Sequence, residues 1–352
     1  MSKNCRVLII DDSKLIRELL RQILSSDPAI DVVGTAEDPY DAREKIKNLK
    51  PDVLTLDIEM PKMDGITFLG NLMRLRPMPV VMISTLTQKG ADVTLHALEL
   101  GAVDYFAKPT NHVSDMMKSY GSVINNKIKA AAQANVTALT NHPSPLQSEP
   151  REYTMMQLAK SPVKMITIGA STGGTEAIKD VLLGLPALMP PIVIAQHIPP
   201  VFSASYAARL DQTVDLSVKE VTKTGEPLQN GRVYIAPGDR HLMVKPKDKG
   251  WTTLLNNGEE VNRHKPSVDV LFESVSKHVG KKAVGVMLTG MGADGAVHMK
   301  TLNDNGAYTI AQDQQSSVVW GMPGAAHELG GVDELISLSK IPQRLLQLVY
   351  GN

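Results

Sequence analysis

Three stretches of this 352-residue chain each carry an apolar run into a residue able to take part in nucleophilic chemistry. The first, "ITIGASTGGTEAI", presents Ser171 in a Gly169-Ala170-Ser171-Thr172-Gly173 turn between a strand pattern and a helix pattern. This matches G-x-S-x-G, where glycines permit a tight turn and the serine oxygen stands clear of the backbone. Amides opening the next helix can stabilise an oxyanion. By itself the pattern is weak. Gly169, Gly173 and Gly174 could equally admit a dinucleotide pyrophosphate, although G-x-G-x-x-G and Gly-Lys-Ser/Thr are both absent.

A serine nucleophile needs an imidazole base, itself oriented by a carboxylate. "PIVIAQ" runs straight into His197, and "AVGVMLTG" leads into "MGADG" with Asp294. If these runs are parallel strands, their C-terminal ends share one edge and the three residues meet there. Other histidines fit less well: His241 lies in a hairpin pattern, His278 and His298 in helix patterns, and His264 in the polar loop "NRHKPS". The loop "TGMGADG" offers amides to a developing oxyanion, where one donor is typically worth ~3 kcal/mol of barrier. The Met291 backbone N–H is the expected donor. The chain order Ser, His, Asp differs from the Ser, Asp, His of α/β-hydrolases. The expectation is an independently arranged triad on a doubly wound sheet.

A second set lies in the first third. Asp11 and Asp12 follow "RVLII", Asp57 ends "VLTL", Ser84 ends "VVMI", and Lys108 with Pro109 follows "VDYFA". In a parallel sheet these strand ends form the ligand crevice. Three carboxylates there suit Mg²⁺, which takes oxygen ligands and keeps several waters. With charge neutralised, one carboxylate can attack a phosphoryl group. Lys108 would pair with the incoming group, and Ser84 would reach it by hydrogen bond. Asp12 or Asp104 taken singly reads as a helix cap or a solvated loop residue.

The elements needed to position both sets are legible. From residue 6 to about 128, β-rich runs alternate with helical patterns such as "SKLIRELLRQILSS", whose Leu15, Ile16, Leu19, Leu20, Ile23 and Leu24 recur at helical spacing. Near-continuous apolar strands separated by helices imply a parallel sheet covered on both faces. Residues 129–161 have linker composition around "HPSPLQSEP", with "REYTMMQLAK" as a short docking segment. Alternation resumes over 162–352, with helices expected at 175–185, 202–212 and 295–304. "GRVYIAPGDRHLMVKP" and "WTTLLNN" read as antiparallel hairpins, with Pro237–Gly238 as a turn. The fold class is α/β, with two doubly wound parallel-sheet domains: 1–128, and a larger 162–352 domain carrying an antiparallel flap.

The charge balance of 37 basic and 37 acidic residues argues against a polyanion-binding protein, so no nucleic acid is expected. No run approaches the ~20 apolar residues needed to span a bilayer, so no membrane insertion is expected. The N-terminus lacks a signal-peptide core. Its single cysteine, Cys5, reads as an inert packing residue and fits a reducing compartment. The expected location is cytoplasmic.

Asp11, Asp12, "LTLDIEMPKMDG" with Asp57, Ser84, Tyr105 and Lys108–Pro109 resemble the receiver domain of two-component response regulators over residues 4 to 125. The resemblance implies a flavodoxin-like fold and phosphotransfer from a histidine kinase to Asp57. It also implies Mg²⁺ held by Asp11, Asp12 and Asp57, and a switch through Ser84, Tyr105 and Lys108. Receivers more often carry threonine at the Ser84 position, and serine keeps the hydroxyl. "GASTGG", "AQHIPP", "GRVYIAPGDRHL", "NRHKPSVDVLFESV" and "LTGMGADGAVHM" resemble the chemotaxis protein-glutamate methylesterase catalytic domain over residues 160 to 348. That likeness implies Ser171 as nucleophile, His197 as base, Asp294 as orienter and Met291 as oxyanion donor. Ala293 stands where relatives often carry asparagine. The implied reaction is hydrolysis of glutamate γ-methyl esters on cytoplasmic chemoreceptor helices, with deamidation of receptor glutamines and no cofactor for the esterase. The rival expectations are a receiver-controlled nucleotide-binding module and a DNA-binding output protein. The fused pair also implies that an unphosphorylated receiver holds the esterase down. Deleting residues 1 to about 145 should then raise activity above that of the unphosphorylated full-length protein; activity no higher would exclude such inhibition.

Overall fold

Apolar strands flanked by amphipathic helices build two parallel sheets, one in each of two units, Met1–Asn141 and His142–Asn352. The computed structural model describes residues 4–85, 87–108, 121–137, 153–248 and 250–351. In the first unit the order is β1 (Cys5–Ile10), α1 (Lys14–Ser25), β2 (Ile30–Ala36), α2 (Pro39–Leu49), β3 (Val53–Asp57) and α3 (Gly65–Leu75). There follow β4 (Val80–Ser84), α4 (Gln88–Glu99), β5 (Asp104–Ala107) and α5 (Gly121–Ala132). The five strands pair in parallel in the order β2-β1-β3-β4-β5. Val7 to Ile10 and Val80 to Ile83 are fully buried, as strands covered on both faces require. Polar residues ahead of the helices cap them: Ser13, Asp38, Asp64 and Thr87 each accept a backbone N–H of the first turn.

The second unit begins with α6 (Met155–Lys160), β6 (Met165–Ala170), α7 (Gly174–Leu183), β7 (Ile192–Gln196) and α8 (Pro200–Asp211). Next come β8 (Ser217–Glu220), β9 (Arg232–Ile235), β10 (His241–Lys247), β11 (Gly250–Asn256), α9 (Val268–His278) and β12 (Ala283–Met287). The chain closes with α10 (Ala296–Asp304), β13 (Tyr308–Gln312), α11 (Met322–Glu328), β14 (Glu334–Ile336) and α12 (Ile341–Tyr350). Seven strands form one sheet in the order β14-β13-β12-β6-β7-β9-β8, with every pairing parallel. Strands β12, β6 and β7 are therefore neighbours at the centre, and their C-terminal ends lie side by side. That adjacency positions the site.

Two sequence expectations need correction. "GRVYI" is no hairpin arm: β9 joins the main sheet parallel to β7, and only β10 and β11 form the antiparallel pair. Residues 237–240 do turn, with the Arg240 N–H directed at Pro237 O, but the turn leads out of the sheet. The flap is anchored to α9, where Val244 N–H donates to Ser274 Oγ at 3.0 Å and Trp251 Nε1–H to His278 O at 2.9 Å. Asp104 is no solvated loop residue either: it opens β5, is buried, and pairs with Lys127 Nζ at 2.6 Å.

Helix α5 continues to Ala132, past the expected boundary at 128, and α6 falls within the expected 129–161 linker. Thr154 and Gln157 close a capping box on α6. Leu158 is 3% exposed, and the Tyr153 ring stacks on Tyr350 of α12 at 4.0 Å. The rest of the proline-rich segment, 138–152, lies outside the described residues, as does Pro109. Because a buried leucine truncated to alanine loses about 2–5 kcal/mol, Leu158→Ala should destabilise the second unit within that range in urea unfolding. A change below about 0.5 kcal/mol, the usual limit for surface positions, would show that α6 does not contribute packing.

Candidate active site

Ser171 stands directly after β6, at the bend into α7. Gly173 makes the bend possible, its φ of 74° lying in the left-handed region that side chains disfavour. The Ser171 N–H donates to Thr289 O at 3.1 Å, tying the turn to the segment after β12. Gly290 packs between Met322 and the serine: a Cβ there would run into Met322 Sδ and sit 2.9 Å from Ser171 Cβ and 3.0 Å from its nitrogen. Gln196, the last residue of β7, donates through Nε2 to Ser171 O at 2.9 Å and to His197 O at 3.2 Å. One amide thus braces the carbonyls of both neighbours.

His197 follows on the adjacent strand. Its Nδ1 is 3.1 Å from Ser171 Oγ, and its Nε2 is 2.8 Å from Asp294 Oδ2. An ionised carboxylate only accepts, so Nε2 carries the proton and Nδ1 turns its lone pair toward the serine hydroxyl. The structure therefore brings together the three residues singled out from the sequence, in one hydrogen-bonded line.

Asp294 is 3% exposed and well supplied with donors. Oδ2 also accepts the Val268 N–H at 2.7 Å, while Oδ1 accepts Asn262 Nδ2 and Ser267 Oγ, both at 2.8 Å, and Asp269 N at 3.4 Å. Ser267 to Asp269 open α9, so the helix N-terminus points its amides at the carboxylate. Burial by itself disfavours the charge. The hydrogen bond and charge of His197, then the Asn262 amide and the Val268 N–H, outweigh burial and hold the carboxyl well below its usual range.

Met291 lies in the loop between β12 and α10, half-buried, directly after Gly290. Among the described residues its N–H meets no acceptor, so it is available to an oxyanion. Gln196, Asn262 and Ser267 have no place in the sequence reading, and His264, set aside there as a base because of its polar loop, also reaches the site. The His264 ring stacks on His197 with centroids 3.7 Å apart and planes 13° from parallel. Gln196 closes β7 directly before His197, and that place at a strand end is its one sequence signal. The other three come from a loop whose fold no periodicity announces.

Residues 166–345 match the CheB methylesterase family, and residues 7–119 match the response regulator receiver domain. The protein-glutamate methylesterase/protein-glutamine glutaminase 2 of Vibrio vulnificus is 54% identical over 349 residues, covering 99% of both chains. The chain belongs to the CheB methylesterase family. A second relative, the protein-glutamate methylesterase/protein-glutamine glutaminase of Hydrogenovibrio crunogenus, is 50% identical over 99% of this chain and 100% of its own. Among solved structures, the Thermotoga maritima CheB methylesterase catalytic domain is 38% identical with a TM-score of 0.51. It covers 53% of this chain and 98% of its own.

The receiver domain of this CheB-family chain carries the second cluster. Asp57 ends β3, is 2% exposed, and accepts from Lys108 Nζ at 2.7 Å. Lys108 Nζ is also 3.6 Å from Asp11 Oδ2. Carboxylate oxygens of Asp11, Asp12 and Asp57 lie within 4.8 Å of one another. Burial, then the Asp57 charge, pushes the Asp11 carboxyl up to about 6 against the pull of Lys108. Asp57 is raised by burial too, with Lys108 opposing. Asp11 Oδ2 is buried with no hydrogen-bond donor, as expected of an oxygen meant for a cation. Together the buried carboxylates of Asp11 and Asp57 and the exposed one of Asp12 fit Mg²⁺.

Ser84 is buried at the end of β4, where its Oγ accepts from Thr94 Oγ1 of α4 at 2.6 Å. Tyr105 is buried in β5 with Lys127 Nζ 5.5 Å from its ring centroid. A cleft beside Asp57 is lined by Thr85, Thr87, Lys89, Val93 and Lys108.

Gly290 gives the sharpest test of the serine's placement. A methyl group there meets Met322 Sδ first and then the Cβ and backbone nitrogen of Ser171, so the serine turn has to shift with it, and displacement on the order of 1 Å can lower reactivity on the order of 10²-fold. In Gly290→Ala, labelling of Ser171 by a fluorophosphonate probe should slow on that scale. An unchanged rate would mean that this contact does not set the serine.

Proposed function

We propose that the protein hydrolyses γ-methyl esters of glutamate side chains on chemoreceptor helices, and deamidates glutamines there, with Ser171, His197 and Asp294 as its catalytic triad. The relatives are named for both activities, and the reading rests on one observation above the rest. That observation is the unbroken line from Ser171 Oγ through the His197 ring to Asp294.

Ser171 Oγ attacks the ester carbonyl carbon while its proton passes to His197 Nδ1. Negative charge gathers on the carbonyl oxygen, where the Met291 N–H receives it. His197, now cationic, is stabilised by Asp294, whose charge survives burial because so many donors surround it. The tetrahedral adduct collapses, and methanol leaves with the proton from His197. Water then attacks the acyl-serine, giving its proton to His197, and the free glutamate carboxylate and the Ser171 hydroxyl are restored. A glutamine substrate follows the same course with ammonia as the leaving group. No step calls for a cofactor.

Control is read from the first domain. Asp57 accepts a phosphoryl group from a histidine kinase, with Asp11, Asp12 and Asp57 as ligands for Mg²⁺, which supplies charge neutralisation at the transferring group. Lys108, already paired with Asp57, turns to the phosphoryl oxygens. Ser84 leaves Thr94 to bond the same group, and Tyr105 responds with it. The substrate helices are cytoplasmic, so the protein acts in the cytoplasm. Among the described residues no helix is long and apolar enough to cross a membrane.

The test is methanol release from methylated receptor membranes. Wild type with Mg²⁺ and a small phosphodonor should release methanol, and Ser171→Ala should release none above background. Asp57→Asn or chelation of Mg²⁺ should leave only the unstimulated rate. Release undiminished in Ser171→Ala would sink the esterase reading, since a nucleotide-binding module would be indifferent to that change.

A further inference from the structure

The loop from Val261 to His264 is a closed four-residue turn. Val261 N–H donates to His264 O at 3.1 Å, and His264 N–H to Val261 O at 2.9 Å. Its two central residues, Asn262 and Arg263, have φ of 53° and 66°. Both lie in the left-handed region, the signature of a type I′ turn. Glycine is the residue that meets this conformation without strain, and asparagine is the next best. Backbone strain held in place by its surroundings points to a task performed by the side chains.

Two side chains of the turn, the exposed Asn262 and the half-buried His264, reach the triad. Asn262 Nδ2 bridges two carboxylates, donating to Asp294 Oδ1 at 2.8 Å and to Asp269 Oδ2 at 2.7 Å. Apart from the base itself, it is among the described residues the one donor to Asp294 that does not come from the start of α9. His264 lies flat against the His197 ring. The two contacts restrain different motions. The Asp294 bond holds His197 within the ring plane but permits rocking about the Nε2···Oδ2 line. A flat ring 3.7 Å away blocks that rocking and keeps the Nδ1 lone pair on Ser171.

We propose that the Val261–His264 turn is a clamp for the catalytic line, with Asn262 and His264 as positioning residues. Asn262 sets the carboxylate and His264 sets the plane of the imidazole. Neither touches substrate or gains or loses a proton in the cycle. The proposal rests on the triad reading above. Asp269 extends the clamp outward, because its Oδ1 also receives the His298 N–H at 3.0 Å and lies 3.0 Å from His298 Nδ1. The turn is thereby moored to α10.

The test uses the full chain with Mg²⁺ and a phosphodonor, and reads methanol release as kcat and KM separately. Asn262→Gly keeps the left-handed backbone and removes the amide, so the chain should still fold, with a Tm lowered by the loss of one donor to two buried carboxylates. Its kcat should drop about tenfold or more, with KM for methylated receptor within about twofold. Arg263→Gly makes the same backbone change beside it, where the side chain is exposed, and should leave kcat within about twofold. His264→Phe preserves a flat ring and should keep most of the activity with a pH profile of wild-type shape. His264→Ala should lose about tenfold in kcat.

Equal losses in His264→Phe and His264→Ala would overturn the stacking role and point to proton transfer by His264. Wild-type kcat in Asn262→Gly would overturn the carboxylate clamp. If those variants are unimpaired while Ser171→Ala is dead, the clamp fails and the triad stands. If Ser171→Ala is active, both fail.

Discussion

A carboxylate taken out of water beside an imidazole must be surrounded by N–H and O–H donors, or it takes up a proton and ceases to orient the base. Much of the second domain answers that demand at Asp294. The helix α9 begins there, its Ser267 cap turns a hydroxyl toward the same oxygen, and a strained turn contributes an amide. The flap β10–β11 packs on α9, and His241 in β10 accepts the Ser267 N–H through Nδ1 at 3.1 Å. A hairpin distant from the chemistry in sequence thus secures the cap of the helix that holds the carboxylate.

The same sheet geometry serves both domains. Parallel strands gather their C-terminal ends on one edge, so residues following different strands meet without any local sequence relation. In the receiver this assembles three carboxylates and one ammonium; burial, and then the excess negative charge, raises Asp11, and the cluster suits a cation. In the esterase domain it assembles a hydroxyl, an imidazole and a carboxylate, whose charges balance once the base is protonated. One architecture therefore carries an acidic cluster suited to a cation in one domain and a line of hydroxyl, imidazole and carboxylate in the other, with the difference lying in the charge of the residues at the strand ends.

Buried polar side chains in the sheet edges do the bracing. Gln196 holds the two carbonyls that flank the serine and the base, and Thr94 occupies the hydroxyl of Ser84. Thr289 ties the Thr172 carbonyl to Val319 through one hydroxyl, linking the serine turn to the segment after β13. Each bracing group is neutral, so the reacting groups are oriented without added charge.

The residues able to do chemistry were legible from the chain alone, because each stands where an apolar run breaks into polar residues. The two parallel sheets were legible for the same reason: strands buried on both faces show it in their composition. The direction of β9 was not legible. Four apolar-leaning residues between glycine and a Pro-Gly turn have the same local pattern whether they return antiparallel or cross over to the main sheet, and only packing against β7 decides. Asn262, Ser267 and His264 were unreadable in a similar way, since a polar loop carries no period that tells which side chains turn inward. Asp104 looked solvated until Lys127, on a later helix, came to cover it. The sequence by itself determined which groups are present and which strand ends carry them. The tertiary structure decided their hydrogen-bonding partners, because those contacts join segments distant along the chain whose approach is set by packing of the whole domain.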